Sequence, residues 1–284
     1  RICDHLGDRG KAAAYTASRE KMERVINTSG WDGAWFRRAY DDFGNPIGSK
    51  ECKEGQIFIE PQGMCVMAGM GLEDGRARSA LDAVAEHLAF EHGIVVLYPA
   101  YTEYHLELGE ISSYPPGYKE NGSVFCHTNP WVMIAETRIG RGDRAFDYYL
   151  RINPSVREEI SDLHRCEPYA YAQTIAGKES ATPGVAKNSW LTGTAAYNFV
   201  AITQWILGIR PGYDGLVFDP VVPASWSGFK AERLYRGVRY DITVERVGPG
   251  NTVSLEVDGC HVQGNLVPAP AKGTGRVSVL ARLS

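Results

Sequence analysis

The feature that most constrains the fold is a change of hydrophobic periodicity near Pro211. Before this residue, apolar side chains recur at helical spacing, while after it they alternate in short runs separated by turn residues. The fold class predicted is therefore mainly α with a β end. We place a helical domain over residues 1–211 and a small antiparallel β-domain over residues 212–284.

The helical part is interrupted by long loops that are rich in glycine, proline and aromatic residues. Helical patterns begin near residues 8, 73, 129 and 192. Long irregular loops inside a compact domain are usually functional. The recurrence of helix, loop and helix fits a ring of paired helices with the loops gathered at one end. Folds of this kind often bind sugars in a central funnel.

Composition excludes several classes of function. The net charge is −4 and the pI is near 6, so no basic surface for nucleic acid is expected. No apolar run reaches membrane-spanning length, and no signal peptide opens the chain, which begins at Arg1. The six cysteines form no CxxC pair, which argues against a zinc site or any other metal. Reduced, mostly buried thiols in a cytoplasmic protein are the simplest interpretation.

Three polar segments combine groups that suit a polyhydroxylated ligand. They lie at residues 109–131, 164–178 and 184–198, and the first contains the run "YPPGYKENGSVFCHTNPW". Their carboxylates and amides can pair with vicinal hydroxyl groups, while their aromatic faces can cover C–H patches. The sequence therefore predicts a carbohydrate site at these loops.

The third segment also contains a candidate anion site. Thr192, Gly193 and Thr194 stand at the start of a strongly apolar helix. A helix N-terminus with free N–H groups and a hydroxyl attracts anions. Most such tripeptides before helices are plain caps, here with Thr192 or Thr194 as the capping residue.

Other polar residues have ordinary structural explanations. His127 is explained as a core histidine, Lys119 as a solvated surface lysine and Gln173 as a helix-surface amide. The pair Asp41-Asp42 precedes Phe-Gly-Asn-Pro and is more typical of a turn than of a catalytic dyad. The sequence contains no G-x-S-x-G, H-E-x-x-H or P-loop motif.

Several long motifs resemble the carboxy-terminal part of one enzyme family. They are "WDGAWFRRAYDDFGNPIGS", "YPPGYKENGSVFCHTNPW", "CEPYAYAQ" and "KNSWLTGTAAYNF". In this order they resemble the cellobiose and chitobiose phosphorylase family, which also includes the cellodextrin and cellobionic acid phosphorylases. The resemblance implies the later part of an (α/α)6 barrel followed by a small antiparallel β-sandwich domain.

The resemblance also implies a reaction. The family carries out reversible, inverting phosphorolysis of a β-1,4-linked glucosyl disaccharide, so that cellobiose and phosphate give α-glucose 1-phosphate and glucose. Inorganic phosphate is a co-substrate, and no cofactor is expected. The family's general acid is an aspartate in a D-W-N-D type motif, which is absent here. We therefore expect no catalytic residue in this chain, an acid upstream of Arg1, an amino-terminal part of the same protein and a homodimer.

Candidate site residues follow from the matching motif positions. The resemblance implies phosphate contacts from His127, Thr192 and the backbone of Gly193. It implies contacts to the transferred glucosyl unit from Glu120 and Gln173. The acceptor side, where the leaving glucose sits, is implied to consist of Glu110, Tyr114 and Lys119.

Three alternatives remain beside cellobiose phosphorolysis. The substrate could be chitobiose, a cellodextrin or cellobionic acid. The chain could be a non-catalytic sugar-binding or structural domain, an alternative that the absent acid favours. It could also belong to an inverting hydrolase, which requires two carboxylates roughly 6.5 to 9.5 Å apart. Phosphate dependence of sugar release distinguishes the hydrolase from a phosphorylase.

Overall fold

The computed structural model describes residues 1–269 and 273–284. The helices in these residues are α1 (Ile2–His5), α2 (Arg9–Asn27), α3 (Ile59–Met67), α4 (Arg76–Ala83), α5 (Asn129–Arg138), α6 (Gly142–Ile152), α7 (Ser161–His164) and α8 (Thr194–Val200). Helix α4 continues as a π-helix over Val84–Leu88, and α8 continues in the same way over Ala201–Ile206. Short 3-10 helices cover Leu106–Ser112, Pro154–Val156 and Glu158–Ile160.

The strands are short before residue 209 and longer after it. The earlier ones are β1 (Ala39–Tyr40), β2 (Pro46–Ile47), β3 (Ile57–Phe58), β4 (Ala89–Phe90), β5 (Gly93–Ile94), β6 (Leu97–Tyr98), β7 (Val124–Phe125), β8 (Thr174–Ile175) and β9 (Ala186–Lys187). The later ones are β10 (Ile209–Pro211), β11 (Gly215–Phe218), β12 (Gly228–Tyr235), β13 (Val238–Arg246), β14 (Val253–Val257), β15 (Cys260–Val262), β16 (Leu266–Pro268) and β17 (Arg276–Leu283). The chain is thus a mixture of helix and sheet rather than mainly helical.

Local sequence signals agree with several of these elements. Helix α2 starts after Asp8, whose side chain accepts a hydrogen bond from the Lys11 N–H, and it ends at the predicted Asn-Thr-Ser-Gly breaker. The helical patterns predicted near residues 73, 129 and 192 are confirmed as α4, the α5–α6 pair and α8. The predicted turn at Asp41 is also confirmed, because its carboxylate accepts hydrogen bonds from the Phe43 and Asn45 N–H groups.

Helix α3 was not predicted from the sequence, because the helix contains Pro61 and Gly63. Both residues weaken helix propensity. Tertiary contact explains the helix: a Cβ built on Gly63 would lie 2.8 Å from the Cβ of Trp131, so the glycine lets α3 and α5 approach closely. Helix α5 lies in the centre of the first core, and eight of its ten residues are buried. A helix buried on all faces has no amphipathic stripe to detect.

The carboxy-terminal strands form a second core. The larger sheet has the order β12-β13-β17-β14-β15, and a smaller sheet has the order β10-β11-β16. The predicted antiparallel arrangement is wrong at one place, since β13 and β17 pair in parallel. This core also contains Ala145 of α6 and Ile206. The barrel, the sandwich and the boundary at residue 211 remain predictions.

Two composition-based predictions can be compared with the described residues. All six cysteines are free, as expected, but only Cys126 is buried, while Cys260 is exposed and the others are intermediate. Within the residues described, none of the helices combines the length and apolarity needed to cross a bilayer.

Candidate functional site

A small sheet joins the three polar segments that the sequence singles out. Strand β7 comes from the first segment, β8 from the second and β9 from the third, and they pair antiparallel in the order β7-β8-β9. Strands β7 and β8, about fifty residues apart in sequence, are therefore held side by side by main-chain hydrogen bonds, and β9 joins them. The predicted convergence of these loops is observed.

Glycines allow the first two segments to cross at contact distance. A Cβ on Gly177 would collide with the Gly122 carbonyl oxygen, and one on Gly117 would collide with the backbone of Ser180. Gly117 also has a φ of 77°, which disfavours any larger residue. These close approaches fix the turn that carries Lys119 and Glu120 against the rest of the site.

The ring of His127 is held by aromatic side chains. It packs edge-on against Phe125 at 4.9 Å and Trp131 at 5.7 Å, and it lies 6.4 Å from the ring of Tyr197 in α8. Partial burial lowers the pKa of His127 below its ordinary value. The imidazole is therefore neutral at pH 7, with one nitrogen as a donor and the other as an acceptor.

The start of α8 presents free hydrogen-bond donors. Thr192 Oγ1 accepts a hydrogen bond from the Thr194 N–H at 3.1 Å and lies 2.6 Å from Thr194 Oγ1. If Thr194 is the hydroxyl donor, the Thr192 proton is free to point outward. The exposed N–H groups of Gly193 and Ala195 have no partner among the described residues. The arrangement can bind an anion, since the helix runs on to Ile206 and its N-terminus carries partial positive charge.

Gln173 connects these two regions. Its backbone carbonyl accepts a hydrogen bond from the Cys126 N–H, next to His127, and its Nε2 donates to the Leu191 carbonyl, next to Thr192. Its Oε1 accepts from Asn188 Nδ2 at 3.0 Å. The expectation of a helix-surface amide is wrong, because Gln173 immediately precedes β8. Asn188, which orients the amide, was missed by sequence reasoning, although its place in "KNSW" beside the predicted anion site was a usable signal.

Lys119 and Glu120 form the exposed tip of a tight turn. The Asn121 N–H bonds to the Tyr118 carbonyl, and Lys119 has a positive φ of 43°. Asn121 is fully buried and anchors the turn, because its side chain bonds to both backbone groups of Tyr101 and to the carbonyl of Tyr114. The Lys119 ammonium lies 5.3 Å from the centre of the Tyr114 ring. Asn121 was not selected by sequence reasoning.

Glu110 is not brought into this arrangement. Its side chain is exposed and makes no hydrogen bond or ion pair with the described residues, and only its carbonyl is engaged, by Ser113. Tyr114 lines an open cavity of about 360 Å³ together with Tyr101 and Glu103. A neighbouring cavity of about 280 Å³ shares those two residues. Of the acceptor candidates, Tyr114 therefore borders open space rather than a closed pocket.

An aromatic pair that sequence reasoning did not select lies beside the site. Trp190 and Tyr169 pack edge-on at 6.0 Å, and they are 67% and 72% exposed. The Trp190 indole N–H donates to Glu167 at 3.1 Å, and Trp190 has a positive φ of 70°. An oriented and exposed aromatic face is suited to stacking on a pyranose ring.

Comparison with known proteins identifies similar sequences. The family model described as "Glycosyl hydrolase 94 superfamily, catalytic domain" matches residues 1–208. An N,N'-diacetylchitobiose phosphorylase of Vibrio proteolyticus is 34% identical over 98% of this chain and 35% of its own length. A solabiose phosphorylase of Paenibacillus borealis is 35% identical over 93% of the chain and 34% of its own length.

A more distant relative has a different substrate in its name. A cellobionic acid phosphorylase of Neurospora crassa is 26% identical over 95% of the chain and 34% of its own length. The chain thus spans about a third of the length of the relatives it matches. These matches confirm the resemblance that the sequence motifs indicate.

Proposed function

Because the chain belongs to the glycosyl hydrolase 94 superfamily, we propose that the protein is an inverting disaccharide phosphorylase. The observation that supports this most directly is the β7-β8-β9 sheet, which brings His127, Gln173 and the start of α8 together. A neutral donor, an amide and free helix N–H groups form a setting suited to a sugar with phosphate beside it.

The proposed reaction is a single displacement. A phosphate oxygen attacks the anomeric carbon from the face opposite the glycosidic oxygen, and that carbon–oxygen bond breaks with inversion. The departing oxygen takes a proton from an aspartic acid, which we place in the polypeptide upstream of Arg1. Phosphate is already anionic, so no second carboxylate is needed to activate water.

The residues of this chain contribute binding and charge stabilisation. His127 donates an imidazole N–H to phosphate, Thr192 donates its hydroxyl, and Gly193 donates its backbone N–H. These preorganised donors stabilise the charge that moves between phosphate and sugar in the transition state. Gln173 and Glu120 bind hydroxyls of the transferred glucosyl unit. Inorganic phosphate is the co-substrate, and we propose no resident cofactor.

The remaining proposals concern the acceptor site, the localisation and the assembly of the enzyme. We place the acceptor sugar near Tyr114, Lys119 and Glu110, bordered by the open cavity that Tyr114 lines. We also propose a cytoplasmic homodimer in which an amino-terminal part of the same protein completes the barrel. Many apolar side chains of α2 and α8 are exposed, including Tyr15, Met22 and Phe199, which supports covering segments outside this chain.

Cellobiose is the disaccharide that we propose first. The Tyr114 ring, packed under Lys119, leaves less room for an acetamido group, and a glutamate at position 110 repels the carboxylate of a sugar acid. N,N'-diacetylchitobiose is the second candidate, because a relative with that activity in its name matches 98% of the chain. Synthesis from α-glucose 1-phosphate should be measured with glucose, N-acetylglucosamine and gluconate as acceptors. A higher kcat/KM for either of the last two would reverse the order.

The class of reaction is tested by phosphate dependence. The natural full-length polypeptide should release sugar from its disaccharide only when phosphate is present, and the product should be the α-anomer of the sugar 1-phosphate. Release of free sugars without phosphate would indicate the hydrolase, while binding without turnover would indicate a sugar-binding protein. The 284-residue chain expressed alone should show no phosphorolysis, because the proposed acid is not in it.

A further inference from the structure

A cluster of basic side chains is buried close to the candidate site. Arg157, His92 and His164 are only 4%, 6% and 2% exposed. Arg157 Nη1 lies 2.8 Å from His92 Nδ1, which must act as an acceptor because a guanidinium can only donate. Among the described residues, no buried carboxylate accompanies this cluster. The two carboxylates that are buried, Asp32 and Glu136, face other arginines.

The loop at Gly184 packs against both His92 and Leu163, the residue before His164. A Cβ on Gly184, where φ is +86°, would collide with His92 Nε2 and lie 2.9 Å from Leu163 Cδ2, so this loop closes directly over the cluster. Burial, followed by electrostatic interaction with Arg157 and His92, lowers the pKa of His164 to about 4. Burial raises the pKa of the adjacent Cys126 thiol to about 12, so the sulfur is a neutral thiol rather than a counter-charge.

Two buried nitrogen atoms in this region lack partners. Arg157 Nη2 and His164 Nδ1 are buried, and neither has a hydrogen-bond partner in the part of the chain that the structure describes. The guanidinium remains charged in proteins, and a buried charge without compensation is strongly destabilising. Glu91 contacts His92 Nε2 at 3.2 Å, but its side chain is 79% exposed, so solvent screens its charge.

We propose that Arg157, His164 and His92 enclose a binding site for a small inorganic anion such as chloride. The anion accepts hydrogen bonds from Arg157 Nη2 and from the Nδ1–H of neutral His164, which satisfies both orphaned groups and compensates the guanidinium charge. The enclosure by the Gly184 loop favours a monatomic ion. The site differs from the proposed phosphate position, because His127 is partly exposed and packs against Tyr197 of α8.

The first test measures thermal stability against chloride concentration. In the natural full-length polypeptide, Tm should rise along a saturating curve as chloride replaces methanesulfonate at constant ionic strength. Arg157→Met removes the charge at similar length and should abolish the rise. Arg138→Met, at an exposed arginine of α5, should retain it. A wild-type Tm that does not change with chloride would overturn the proposal.

The second test locates the ion and does not depend on the variant folding. Crystals of the wild-type protein soaked in bromide should show an anomalous peak within hydrogen-bond distance of Arg157 Nη2 and His164 Nδ1. A water molecule alone at that position, or no peak, would overturn the proposal. Neither readout is enzymatic activity, so the result is independent of the proposed phosphorylase function.

Discussion

Two groups of candidate residues are held in different ways. The tethered group, comprising His127, Gln173, Thr192 and Gly193, is joined by the β7-β8-β9 sheet, by the bonds of Gln173 and by the packing of His127 on Tyr197. The rim group, comprising Glu110, Tyr114, Lys119 and Glu120, lies on an exposed turn and a 3-10 segment beside open cavities. Groups that stabilise developing charge must be preorganised, whereas groups that select an acceptor can be completed by other segments.

The largest effect expected is at His127. His127→Ala in the full-length polypeptide should lower kcat/KM for phosphate by about 10²–10³-fold, because removing one positioned donor to a developing charge costs about 3 kcal/mol. Steady-state phosphorolysis at varied phosphate measures this. The exposed His261 in β15 provides the matched control, and His261→Ala should leave the kinetics unchanged. Normal phosphate kinetics in His127→Ala would remove this residue from the tethered group.

A similar but smaller loss is expected at the start of α8. Thr192→Ala removes a hydroxyl that also accepts from the Thr194 N–H, so the phosphate KM should rise and kcat should fall, by about 10²-fold in kcat/KM. Thr203→Ala, in the same continuous helix, removes a hydroxyl that bonds only to the Phe199 carbonyl. Equal effects of the two substitutions would indicate helix destabilisation rather than phosphate binding.

The hydrogen bond between Asn188 and Gln173 should make the effects of substituting these two residues non-additive. Gln173→Ala removes the proposed sugar contact, and Asn188→Ala only releases the amide that Asn188 orients, which is worth about 1 kcal/mol or roughly a fivefold loss in kcat/KM. The double variant should be no worse than Gln173→Ala alone. A double-mutant cycle on kcat/KM for the disaccharide measures this. Strictly additive losses would show that the two residues act independently.

A weaker and different effect is expected on the rim. Lys119→Met keeps the length of the side chain but removes the ammonium above the Tyr114 ring. Because this group is exposed, the acceptor KM in the synthetic direction should change only a few-fold, and the phosphate KM should not change. A change in phosphate KM would mean that the tethered and rim groups are not functionally separate.

The smallest effect is a shift in the titration of His127. Its pKa is lowered by partial burial, so NMR of the free protein should show it titrating below about 6.5, and binding of phosphate should raise it. Between the folded and unfolded pKa values the unfolded state binds more protons, so this residue's contribution to stability is lost as pH falls below the unfolded value. A pKa above 6.5 without phosphate would contradict the packing described for the ring.

Sequence reasoning located the polar segments but not the details within them. Residue chemistry and motif order pointed to His127, Gln173 and the Thr192-Gly193 helix start, which lie close together in the structure. The same reasoning missed Asn121, which bonds to the main chain of Tyr101, and Asn188, which bonds to the side chain of Gln173, because such partners come from other segments. It also selected Glu110, whose side chain has no partner among the described residues.

The amino-acid sequence by itself determined the switch from helical to alternating periodicity, the ends of α2 and the family to which the chain belongs, because these depend on local spacing, capping and motif order. Only tertiary structure decided that α3 is a helix despite Pro61 and Gly63, that β13 and β17 run parallel, and that three polar segments share one sheet. Those outcomes depend on which segments, distant in sequence, can bring their backbones close enough to pack or to pair. Close approach is a property of the assembled chain, and no single segment encodes it.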